Sequence, residues 1–113
     1  MDLTKAATDA LAERERQRSA EGWTEAHDDE HWHGELADAG ACYIATTRAY
    51  RADTLAGRDH EPIAVYSDLW PRGWRWNPKT RREDLVRGIA LGLAEIERLD
   101  RAEARESAAR KGK

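Results

Sequence analysis

Phenylalanine is absent from this sequence of 113 residues, and cysteine and methionine occur once each. A lone cysteine excludes an intrachain disulfide and suits a reducing compartment. Ala41 and Tyr43 beside it offer no cation that would stabilise a thiolate, so Cys42 reads as an inert buried thiol. There is no apolar run of transmembrane length and no apolar signal segment behind Met1, so a cytoplasmic location and no membrane partner are expected. A strong charge balance is also missing. Nineteen Lys and Arg against 22 Asp and Glu leave a net charge of −3, which argues against general nucleic-acid binding. Ser19, Ser67 and Ser107 have no nearby His–acid pairing and no glycine-rich phosphate loop exists, which disfavours acyl-transfer and P-loop chemistry.

Large aliphatic side chains are scarce as well. The apolar share of 40% is dominated by alanine, so the five Trp must supply much of the core area. A chain of this length holds one core, here assigned to residues 1–104 with a charged tail at 105–113. Alanine-rich helices bury little each, so a homodimer or higher oligomer sharing a core is expected.

The periodicity predicts an all-α domain of three helices. The first spans 3–20, capped by Asp2 or Thr4, with Leu3, Ala7, Ala10 and Leu11 facing inward. Glu21-Gly22-Trp23-Thr24 ends it, Gly22 suiting a left-handed cap. The second spans 34–52, and Ala39 and Gly40 mark a close approach by another helix at mid-length. Residues 53–79 hold all three prolines and read as an ordered, irregular Trp/Pro-rich insertion with at most one short strand at 63–66. The third helix, 80–104, opens on a capping box of Thr80 and Glu83. Its core face is expected to be Leu85, Ile89, Leu93, Ile96 and Leu99, broadened by Val86 and Ala90, and the tail beyond it is expected to fray.

Several runs together carry a family resemblance. They are Arg16-Gln17, Glu21-Gly22-Trp23-Thr24, His27-Asp28-Asp29, Gly34-Glu35-Leu36-Ala37 and Ala41-Cys42-Tyr43, then Trp70-Pro71, Arg81-Arg82 and Ala94-Glu95-Ile96-Glu97-Arg98-Leu99-Asp100. Over about residues 12–101 the chain resembles a family of small proteins carried by bacteriophages and prophages. The resemblance implies an origin and not a mechanism. The chain departs from that pattern at Arg18, where the family has an apolar residue, and at 53–68, where the family is shorter. Glu21-Gly22-Trp23-Thr24 followed by Asp28-Asp29 is also similar to the opening of prokaryotic ryanodine-receptor-type domains, which implies sensing of a small ligand.

Charge and aromatic placement define the candidate site. Residues 21–38 carry seven acids and no Lys or Arg, whereas 70–87 carry six bases against two acids. The two segments either neutralise each other or form the acidic and cationic walls of a cleft. Trp23, Trp32, Trp70, Trp74 and Trp76 all lie outside the helical patterns. Trp23 and Trp76 read rather as sealing a thin core, and Trp32 and Trp74 as stacking surfaces for a base. Arg81 and Arg82 enter the first turn of the third helix, where free N–H groups favour an anion. One wall of Trp32, Trp74, Arg81 and Arg82 is therefore expected, with Asp28, Asp29 and Glu35 facing ribose hydroxyls. The spacing of His27, Asp28, His31 and His33 matches no closed metal set, so no metal and no cofactor are expected. Asp28 or Asp29 is expected to cap the second helix.

Three functions fit these residues. The first is a binding module for a nucleotide-like small molecule, one that sequesters a host signalling nucleotide. The second rests on Glu35 and Asp38, spaced like the magnesium-binding carboxylates of MazG-type nucleotide pyrophosphohydrolases. That enzyme needs a second pair on a neighbouring helix, for which Glu95 is a candidate with Asp84 or Glu97 less well placed, and magnesium enters only there. The third is a protein-interaction inhibitor of a host defence enzyme.

Overall fold

A computed structural model describes residues 2–55 and 69–112, with side chains described outside 46–55. Four helices follow in order: α1 (Lys5–Ser19), α2 (Glu25–Asp29), α3 (Glu35–Leu55) and α4 (Arg81–Lys111). The fold is all-α, and the strand expected at 63–66 lies outside the described residues. α4 is the spine, packed along α3 on one side and α1 on the other, with α2 resting against it.

Local chemistry sets most boundaries. Thr4, Thr24 and Thr80 each cap a helix by accepting a hydrogen bond from the N–H three residues on. At α4 the pair is reinforced, because the Thr80 hydroxyl also donates to Glu83 Oε1 at 2.8 Å. Gly22 has φ +73°, and the chain turns there so that Trp23 N–H reaches the Gln17 carbonyl at 2.9 Å. The five-residue α2 was absent from the helical pattern because one turn leaves no periodicity to read.

The core is small: Leu36, Ala39, Tyr43, Leu91 and Ala94, with Trp23, Trp70, Trp74 and Trp76 packed against it. α3 and α4 cross almost backbone to backbone. A Cβ built on Gly40 would stand 2.8 Å from the Gly88 carbonyl oxygen, and one on Gly88 would stand 2.8 Å from that of Gly40. This is the close approach that Ala39 and Gly40 predicted.

That crossing overturns the expected core face of α4. Its inner face is Gly88, Ala90, Leu91 and Ala94, of which only Ala90 belonged to the expected face, and at the crossing itself no Cβ fits between Gly88 and α3. Leu85 and Leu93 are half-buried, while Ile89 (49%), Ile96 (56%) and Leu99 (51%) are exposed. The predicted stripe is correct as a stripe and points outward. On α1 the expected Leu3 and Leu11 are likewise exposed, and the buried face is Ala10, Arg14 and Gln17. Polar groups hold α1 in place. Arg14 reaches Asp28 of α2 at 2.7 Å and Glu97 of α4 at 2.9 Å.

α4 runs to Lys111 where fraying was expected. Its last turns are rich in Ala, Arg and Glu, all good helix formers. Arg101 and Arg105 are also tied to Asp29 at 3.0 and 3.1 Å, and Arg110 and Lys111 suit the C-terminal dipole.

Candidate ligand cleft

A cleft of about 380 Å³ opens between the C-terminal half of α1, the α1–α2 turn and the segment before α4. Trp23, Trp70 and Trp74 line it, with His27 and Tyr43. These rings belong to a longer chain of aromatic contacts. Trp23 stacks on His27 at 5.7 Å and 5°, His27 meets His31 edge-on at 4.8 Å, and His31 meets Trp74 at 5.0 Å. Trp70 stands edge-on to Trp74 at 6.4 Å and donates its indole N–H to the Trp74 carbonyl at 2.8 Å. Trp76 lies against Trp70 and stacks on Tyr43 at 4.9 Å, completing the wall from behind. Gly73, at φ +84°, turns the segment so that Trp70 and Trp74 share one side.

Three arginines reach the cleft in different states. Arg16 is held by Glu13 and Glu21, each at 2.7 Å. Arg87 lies 4.2 Å over the Tyr43 ring, donates to the Asn77 carbonyl and pairs with buried Asp84. Its Nε is buried and unpartnered. Arg75 is exposed and makes no ion pair with any described residue. Gln17, 1% exposed, also lines the cleft; its amide nitrogen donates to Glu13 at 3.4 Å and its carbonyl oxygen has no partner. Burial, opposed by Arg87, raises the Tyr43 hydroxyl above its ordinary pKa, so the ring is a neutral wall.

The expected site residues divide between this cleft and other tasks. Trp23, Trp70 and Trp74 come together in it, with Trp76 behind. Trp32 is 63% exposed, packs on His33 at 3.7 Å and lines neither described cavity. Arg82 pairs with Asp9 at 2.8 Å beside a second, shallower cavity, and Arg81 lines neither. The wall of Trp32, Trp74, Arg81 and Arg82 is therefore not assembled, because α4 projects Arg81 and Arg82 away from the Trp74 side. Asp28 is fully buried against Arg14 and His27, Asp29 binds Arg101 and Arg105, and Glu35 contacts His31 at 3.2 Å. Neither Asp28 nor Asp29 caps α3, since both lie within α2 and bind Arg14, Arg101 and Arg105 instead.

The acidic segment is thus neutralised mainly by arginines of α1 and the distal half of α4, not by the basic segment 70–87. Arg75 of that segment is left for the cleft. Gln17, Glu13, Tyr43 and Arg87 were not singled out as site residues. For Gln17 the signal was the spacing of Ala10, Arg14 and Gln17, which places polar side chains on a core-facing stripe of α1.

Among the described residues no three of His, Cys, Asp and Glu converge as a metal set. Glu35 and Glu95, two of the carboxylates that the pyrophosphohydrolase alternative requires beside Asp38, face His31 and Arg98 respectively. Among the described residues no helix is long and apolar enough to cross a membrane. No family model, curated protein or solved structure matches the chain.

Proposed function

We propose that the cleft binds a nucleotide-like small molecule and that the protein is a binding module for it. One observation carries this reading. Tryptophans from two distant segments, Trp23 and the Trp70–Trp74 pair, meet on one cleft that also receives Arg75 and the unpartnered side-chain Oε1 of Gln17. A flat π surface stacks a base, a guanidinium takes a phosphate, and an amide oxygen accepts from an exocyclic amine. At about 380 Å³ the cleft lies near the lower end of the roughly 300–1,000 Å³ typical of small-molecule sites, which favours a mononucleotide over a dinucleotide. In a phage-encoded chain, such a module would sequester a host signalling nucleotide.

The test is calorimetric titration with purine mononucleotides and their nucleosides, read in parallel by tryptophan fluorescence. Trp74→Ala is expected to weaken binding by about 1–3 kcal/mol through lost stacking. Arg75→Ala is expected to weaken the nucleotide by about 1.5–3 kcal/mol while leaving the nucleoside unchanged. Absence of heat and quenching at millimolar nucleotide would defeat the proposal.

A further inference from the structure

α4 carries two apolar faces of opposite character. The inner one is built from small residues and is satisfied by α3. The outer one holds Leu85, Ile89, Leu93, Ile96 and Leu99, and no described helix covers it. Ile44, 44% exposed on α3, extends this patch past the Gly88 crossing, where its side chain lies against the backbone. A contiguous aliphatic row of this kind marks an interaction surface.

Three observations identify the occupant. The first is spacing: Ile89 and Ile96 are seven apart, as are Leu85, Gly92 and Leu99, which is the a/d pattern of a two-helix seam. The second is Gly92. A glycine inside an exposed helix is unfavourable, and a Cβ placed on it would meet nothing within 4 Å. The α3–α4 crossing shows what glycine does in this fold, which is to let a second helix come close. Gly92 offers the same on the outer face, in the middle of the aliphatic row.

The third is charge. The outer face begins with Arg81 and Arg82 and ends with Asp100, Glu103 and Glu106. Arg81, Asp100 and Glu103 make no ion pair among the described residues. The row is therefore complementary to itself when reversed.

We infer that this face binds a second copy of the chain through antiparallel pairing of α4. In that arrangement Ile96 of each copy sits over Gly92 of the other, and Ile89 lies beside Leu99 of the second copy. Arg81 and Arg82 then fall opposite residues 107 and 106, within reach of Glu103 and Glu106, and the two helix dipoles oppose. The ligand cleft is on the opposite side of α4, where Arg87 and Leu91 point, so pairing leaves it open.

Sedimentation equilibrium of the full chain tests this, expecting about twice the 12.8 kDa chain mass at high micromolar concentration. Ile96→Glu should yield a monomer with unchanged far-UV circular dichroism. Gly92→Leu fills space that is open in the monomer, so it should keep or raise helix content while weakening self-association by at least about tenfold. A cysteine replacing Leu93 should cross-link two copies, and one replacing Arg81 should not. A monomeric native chain, or a dimer indifferent to both Ile96→Glu and Gly92→Leu, overturns the inference. A cross-link through position 81 overturns the antiparallel order.

Discussion

The residues that fix this fold are to an unusual extent charged. Arg14 is almost fully buried, yet it bridges three helices by donating to Asp28 and Glu97, and one of its terminal nitrogens has no partner. Taking a guanidinium out of water costs more than a single contact returns, so the arrangement depends on every partner being present. Asp28→Ala is expected to destabilise the protein by about 3–5 kcal/mol, chiefly by stranding the Arg14 charge. Chemical denaturation measures this, and a loss under 1 kcal/mol would show that water relieves Arg14. Asp29 offers the pH counterpart. Burial pushes its carboxyl up, but hydrogen bonds from Arg101 and Arg105 outweigh that and hold it below its ordinary range. A depressed carboxyl contributes stability that is present above its unfolded pKa and lost as pH falls through the folded one. The attachment of α2 to α4 should therefore loosen at acidic pH, and Asp29→Asn should flatten that part of the stability profile. None of these pairings was legible in the sequence. Opposite charges were visible on 21–38 and 70–87, but helix α2 turned Asp28 toward α1 and Asp29 toward the far end of α4.

Elements were more legible than their orientation. The α4 start followed from the Thr80–Glu83 box and the stop at Gly22 from its left-handed backbone, while at α1 Thr4, one of the two caps open with Asp2, proved to be the cap. The period of α4 was correct, and its direction was not. Periodicity identifies a stripe without saying what it faces, and two stripes compete on this helix. The inner one is spelled in Gly and Ala, which score weakly as hydrophobic but allow the α3 backbone to approach. Gly88→Ala tests that account. In an isolated helix the change is favourable by about 1 kcal/mol. Here the new methyl would meet the Gly40 carbonyl at 2.8 Å and Ile44 at 2.6 Å. The helices must then separate, and a net destabilisation of about 1–3 kcal/mol is expected, as for other overpacked sites. An increase in melting temperature would mean that the crossing admits a methyl group and refute this account.

At the scale of the molecule, scarcity of large side chains shapes both core and cleft. With no Phe, the sequence places its Trp outside the helices, where four of them seal a core of Leu36, Tyr43 and Leu91 and three of those four, Trp23, Trp70 and Trp74, also wall a cavity. The sequence reading separated sealing Trp from stacking Trp. The structure joins those roles in Trp23, Trp70 and Trp74, since a thin core leaves one face of each ring outward. It also leaves few positions on which stability depends. Leu36 is fully buried and is among the largest such side chains, so Leu36→Ala should cost about 2–5 kcal/mol, the range for a buried leucine whose cavity cannot collapse. Leu93, which the sequence pattern ranked with the core, is half-buried on the outward face. In dilute solution, where copies are apart, truncating it removes only part of its burial and opens no enclosed cavity. Leu93→Ala should then lose less than half as much stability as Leu36→Ala. At high concentration the gap should narrow, because the paired outer face would bury the same side chain. Denaturation of both variants at two protein concentrations separates these contributions, and equal losses in dilute solution would return Leu93 to the monomer core.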